Sequence, residues 1–95
     1  MIELGGNIKL EGFHNIEPAL LIVVKKITGN YVKKICDKLG NDINELKLEL
    51  TEESGQKKIT GEIKANNKTE TTESKNINLF FALDKVLNTL LNNIQ

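Results

Sequence analysis

Apolar and polar positions alternate with two different periods along this chain. Ile8, Leu10 and Gly12 alternate with Lys9 and Glu11, the period-two pattern of a strand with one buried face. Gly5-Gly6, just before it, is expected to mark a bulge or a flexible start. Beyond Phe13-His14 the period lengthens: Leu20, Val24, Ile27, Tyr31 and Ile35 recur at steps of three and four. That spacing predicts one helix from about Glu17 to Leu39, with these five residues as its core-facing stripe. Asn15 suits the N-cap, and Pro18 fits the first turn, where its missing N–H has no intrahelical partner. Gly40 is the expected left-handed residue that ends the helix.

The period then returns to two. Leu46, Leu48 and Leu50 alternate with Glu45, Lys47, Glu49 and Thr51, and Ile59, Gly61, Ile63 and Ala65 alternate with Lys58, Thr60, Glu62 and Lys64. Ser54-Gly55-Gln56 between them reads as the turn of a hairpin. Asn66-Asn67 supplies a second tight turn, because asparagine tolerates positive φ. The following KTETTES is β-branched but lacks large apolar side chains, as suits a polar edge strand. Last comes a helix capped by Asn76 or Asn78, with Leu79, Leu83, Val86, Leu90 and Ile94 on one stripe, flanked by Phe80, Leu87 and Leu91.

The order is therefore βαβββα. Both helical stripes need cover, and one face of the strands is apolar, so an α+β two-layer sandwich follows, a four-stranded mixed sheet with two helices on one face. A right-handed crossover through the first helix sets the first two strands parallel, and the rest form an antiparallel meander in the order 1-2-3-4. At 95 residues the chain makes a single α+β domain, residues 1–95, with one core.

Composition narrows the function classes. Thirteen lysines balance thirteen acids, so no global field draws the chain to nucleic acid or to an anionic membrane. No arginine is present, which argues against bidentate phosphate recognition. Cys36 is the only cysteine, excluding an internal disulfide and a cysteine-cluster metal site and pointing to the cytoplasm. The N-terminus has neither the charged nor the apolar segment of a signal peptide, and the longest apolar run, Ala19 to Val24, is too short to span a bilayer.

Charge is nevertheless uneven. Residues 19–40 hold five lysines and one aspartate, net +4, whereas residues 41–62 hold three lysines and six acids, net −3. At about 100° per residue, Lys25, Lys26, Gly29, Asn30, Lys33 and Asp37 fall opposite the apolar stripe of the first helix, with Lys34 and Lys38 along one border. Two readings fit: a solvated helix face, or a patch that binds RNA weakly and salt-sensitively by counterion release. No aromatic stacking platform is evident, since Tyr31 lies on the core stripe and the three phenylalanines stand at element ends or at the start of the last helix. Ile22 and Val23 project on or beside the outward face, as ordinary exposure or as a protein contact such as a homodimer seam. The edge strand from Lys68 to Ser74 offers another protein contact.

Catalytic chemistry is not expected. His14, alone in a loop, and Cys36, on a helix flank, have no partners for acid–base, nucleophilic or metal work, and Glu49, Glu52 and Glu53 sit beside Lys57 and Lys58 at a hairpin tip. Gly5-Gly6 lacks the helix and the Lys-Ser/Thr of a phosphate loop. No metal site and no cofactor are anticipated.

The chain resembles the N-terminal domain of the ribosome hibernation-promoting factor family, also called the sigma-54 modulation or ribosome-associated inhibitor family. The resemblance rests on NIKLEG, ALLIVVKKITGNYVKKI, the hairpin ELKLELTEE and KKITGEIKA, and above all TTESKNINLFFALDKVLNTLLNNI. It spans nearly the whole chain as a pattern rather than as a signature motif. It implies a non-enzymatic module that binds the small ribosomal subunit or structured RNA, with no membrane partner. The residues matching the family's basic positions are Lys25, Lys26, Lys33, Lys34 and Lys38 on the first helix and Lys85 on the second. A protein-interaction or homo-oligomeric domain is the alternative, through Ile22 and Val23 or the edge strand.

Overall fold

The computed structural model describes residues 2–4 and 7–94. Its elements are β1 (Ile2–Leu4), β2 (Ile8–Glu11), α1 (Pro18–Leu39), β3 (Glu45–Glu53), β4 (Gln56–Ala65), β5 (Lys68–Asn76) and α2 (Leu79–Asn93), with the sheet in the order β1-β2-β3-β4-β5. β2 and β3 are parallel, Ile8 opposite Leu46 and Leu10 opposite Leu48, so α1 is the crossover between them. β3, β4 and β5 form the antiparallel meander. The expected α+β sandwich is present in β2, α1, β3, β4, β5 and α2. β1 adds a short strand antiparallel to β2, with Ile2 opposite Leu10. Three residues ahead of a glycine pair are too few for a period-two pattern to register, so the sequence did not separate it. The bulge expected at Gly5-Gly6 lies outside the described residues.

Turn chemistry fixes the meander's register. Ser54 and Gly55 have φ of 51° and 80°, and Asn66 and Asn67 have φ of 52° and 64°. Two consecutive positive φ values give the turn whose twist matches that of the flanking strands.

The inner face of the sheet carries Leu46, Leu48, Ile59 and Ile63, all fully buried against Leu83, Leu87 and Leu90 of α2 and against Val24 and Ile35 of α1. Gly61 lets α2 approach: a Cβ there would lie 2.6 Å from Val86 Cγ1 and 3.1 Å from Leu90 Cδ1. Asn78 caps α2, its Oδ1 accepting from the amides of Phe80 (2.9 Å) and Phe81 (3.2 Å), while Asn76 Oδ1 accepts from the Asn78 amide.

α1 departs from expectation in two respects. Its N-cap is Glu17, with no side-chain capping bond, rather than Asn15. Its buried line is Val24, Thr28, Val32 and Ile35, while Leu20, Ile27 and Tyr31 are half-buried. The helix is thus rolled so that Ile27 and Tyr31 border α2, a neighbour that a single-helix pattern cannot reveal. Gly29 does not break it: nothing stands within 4 Å of a Cβ built there, and the helix runs on to Gly40, whose φ of 78° ends it with its amide on Cys36 O at 2.9 Å.

Candidate nucleic-acid interface

Two contacts fix how the helices lie together. Tyr31 Oη donates to Asp84 Oδ1 at 2.6 Å, and Lys38 Nζ donates to Leu91 O at 2.7 Å, both joining residues 53 apart in sequence. A constant offset means that α1 and α2 run parallel, with the same residue spacing on each. Both cover the same face of the sheet, so their outward sides form one continuous surface.

On that surface Lys25, Lys26, Lys33, Lys34 and Lys85 are all exposed. From the helical repeat and the buried line, Lys26 and Lys33 stand outermost with Asn30, Lys25 turns to the flank away from α2, and Lys34 turns toward α2. Lys34 Nζ lies 5.2 Å from the centroid of the Tyr31 ring. Lys38, placed with this set by the sequence, spends its ammonium differently: besides Leu91 O it reaches Asn92 O at 3.4 Å, compensating the unpaired carbonyls and negative end of α2. Ile22 and Val23 are 67% and 41% exposed. Being consecutive they diverge by about 100°, Val23 toward the α2 side and Ile22 away from it.

The charge distribution is sharper than the sequence totals suggest. Among the described residues every ion pair lies within the sheet: Lys9–Glu45 at 3.0 Å, Lys47–Glu11 at 3.2 Å, Lys58–Glu73 at 3.1 Å, Lys75–Glu53 at 3.2 Å, the looser Lys58–Glu53 and Lys64–Glu62, and Lys57–Glu52. The Lys9 hydrogen bond holds the Glu45 carboxyl below the usual glutamate value, and bonds from Lys75 and Lys58 do the same for Glu53. Hydrogen bonds to Glu73 and Glu53 push Lys58 up. None of the exposed helix lysines has an acidic partner in this network. α1 holds five lysines against one aspartate, net +4, and the remainder of the chain eight lysines against twelve acids, net −4. A neutral chain therefore presents a positive helix α1 backed by an ion-paired sheet that is net negative.

The other candidates stand in separate parts of the fold. His14 is exposed in the loop before α1. Cys36 is half-buried, its thiol donating to Asp42 Oδ1 at 3.3 Å; burial, then this bond, push its pKa up, away from a reactive thiolate. Glu52 and Glu53 are tied to Lys57, Lys58 and Lys75, and Glu49 is exposed. An open cleft of about 480 Å³ lies at the start of α1, among Ile16, Leu20, Leu50 and Leu79, with the Lys57–Glu52 pair at its wall. Among the described residues no three His, Cys, Asp or Glu side chains gather to hold a metal, and no helix is long and apolar enough to cross a membrane.

One exposed group was missed by the sequence reading. Phe81 is 67% exposed, and Ile77, just before the Asn78 cap, 77%. A usable signal existed: Phe80 and Phe81 are adjacent, so they point about 100° apart and cannot both face the core.

The chain matches no protein-family model and none of the curated proteins. Solved structures do resemble it. A ribosomal subunit interface protein from Coxiella burnetii superposes with a TM-score of 0.68 at 16% identity, over 93% of this chain and 90% of that one. The N-terminal domain of Protein Y from Thermus thermophilus gives 0.70 at 13% identity, over 90% and 89%. At this identity the likeness is one of fold, and it is the fold that the sequence resemblance implied.

Proposed function

We propose that this domain is a non-enzymatic binding module for the small ribosomal subunit or structured RNA, using Lys25, Lys26, Lys33 and Lys34 of α1 and Lys85 of α2. The observation that carries the reading is the segregation of charge: every sheet lysine but Lys68 is ion-paired to a sheet carboxylate, while among the described residues the exposed helix lysines have no acidic partner. A phosphate chain laid along α1 would neutralise those ammonium groups and release condensed counterions. Lysine contributes point charges rather than forks, so shape and spacing, not base edges, would set the preference. The likeness to a ribosomal subunit interface protein supports a ribosomal partner, which would place the domain in the cytoplasm.

The test is co-sedimentation with small subunits. Lys25→Glu combined with Lys33→Glu reverses charge at two exposed positions and should abolish co-sedimentation while leaving the circular dichroism and melting of the domain unchanged. Undiminished co-sedimentation of the folded double variant would overturn the reading.

A protein contact is the second reading, favoured by the edge of β5, which among the described residues pairs only with β4, and by the exposure of Ile22. Under it, Ile22→Asp changes the mass seen by light scattering; a monomer in both proteins removes the Ile22 version.

A further inference from the structure

We propose that Phe81 is a stacking platform for an unpaired base, so that the helical surface takes single-stranded or looped RNA in preference to a continuous duplex. This rests on the RNA-binding reading above and adds the class of RNA.

Three observations place the ring in the right setting. Phe81 is 67% exposed although it follows a cap that fixes its backbone, Asn78 Oδ1 accepting from the Phe81 amide at 3.2 Å. The ring is thus presented from a rigid first turn, not from a loop. Lys85 is four residues on, and Asp84 three residues on, so both are its neighbours on the helix surface. Asp84 is bonded to Tyr31, whose ring carries Lys34, so the α2 surface that presents Phe81 and Lys85 adjoins an α1 ammonium as well.

An exposed aromatic ring near two lysines suits a nucleotide, the neighbouring Asp84 carboxylate being engaged by the Tyr31 hydroxyl: the base stacks while the adjoining phosphates meet the lysines. Bases inside an A-form duplex are already stacked and cannot reach such a ring, whereas those of loops, bulges and single strands can be splayed out onto it. A second copy of this chain fits less well. A two-fold contact would set like-charged lysine faces against each other, and the four exposed large apolar side chains, Ile22, Val23, Ile77 and Phe81, fall short of the roughly 800 Å² per partner that a stable interface needs.

The experiment measures binding of the intact domain to a short single-stranded RNA and to a duplex of equal length, across a salt series, for wild type, Phe81→Ala, Phe81→Tyr and Lys26→Gln/Lys33→Gln. The expected result is tighter binding to the single strand, an affinity loss of about tenfold in Phe81→Ala with an unchanged salt slope, and retention in Phe81→Tyr. The lysine variant should instead flatten the salt slope. A fluorescent purine analogue in the strand should be quenched by wild type and not by Phe81→Ala. Salt-dependent RNA binding that is indifferent to Phe81, or equal affinity for duplex, overturns this inference and leaves the RNA reading standing. No binding of either RNA at low salt also overturns this inference, and co-sedimentation with small subunits then decides the reading on which it rests. A dimer in light scattering that Phe81→Ala dissociates overturns it in favour of a protein contact.

Discussion

Tyr31 on α1 donates a 2.6 Å hydrogen bond to Asp84 on α2, the shorter of the two contacts that hold the parallel helices in step. The bond also organises the positive surface, since the Tyr31 ring is the seat of Lys34. Because the proton is shared with a carboxylate, with burial adding to the effect, the phenol is pushed up to about 12 from its usual 10.0.

Tyr31 is the only tyrosine and there is no tryptophan, so phenolate absorbance reports this bond alone. Wild type should titrate near 12, and Asp84→Asn should fall back toward 10. A group held protonated in the folded state stabilises it fully below its unfolded pKa, so this contribution should persist to about pH 10 and disappear between 10 and 12. Equal titration of the two proteins would remove the bond from the account.

Thr28 is fully buried on α1, and its Oγ1 has no hydrogen-bond partner among the described residues. Valine has the same branched shape without the hydroxyl. Thr28→Val should therefore stabilise the domain by about 1–2 kcal/mol, seen as a higher denaturant midpoint at unchanged slope. A lower midpoint would mean that the hydroxyl is satisfied in solution.

Gly61→Ala should destabilise by about 1–3 kcal/mol, because the new Cβ meets Val86 Cγ1 at 2.6 Å and the branched valine cannot swing aside. Val86→Ala in the same chain should relieve part of that cost, a coupling that a double-mutant cycle measures directly. Additive effects would show that the backbone, not Val86, absorbs the methyl.

The ion-paired sheet gives an acid limb. Glu45 and Glu53 have folded pKa values below their ordinary 4.5, so their stabilisation is complete above that value and is lost as pH falls through the lowered ones. Melting temperature should fall with acidification below about pH 4.5, and less so in high salt, because these pairs are exposed. Glu53→Gln should shrink the acid-dependent drop.

The sequence revealed most of the architecture because each element carried its own signal. Leu46, Leu48 and Leu50 state a buried strand face, Asn66-Asn67 a turn at positive φ, and Gly40 a helix end, and all three hold in the structure. What stayed hidden depended on neighbours. The roll of α1 that buries Thr28 and half-exposes Tyr31 is set by α2 lying beside it. Lys38 looks in sequence like any other surface lysine, and only the parallel offset of the helices brings it to Leu91 O. The separation of paired sheet lysines from free helix lysines is likewise a property of register: Lys47 sits beside Glu11 because β2 and β3 are parallel. Phe81 stands at the start of the last helix, a position from which sequence alone does not tell an exposed ring from a buried one.

The most direct measurement is the affinity of the intact domain for isolated small ribosomal subunits as ionic strength is raised. The lysine surface predicts binding at low salt whose logarithm falls linearly with that of the salt concentration, by roughly 0.7 for each backbone phosphate contacted, with a shallower fall in Lys25→Glu/Lys33→Glu. Absence of binding at the lowest salt, or an affinity that salt does not change, would contradict it.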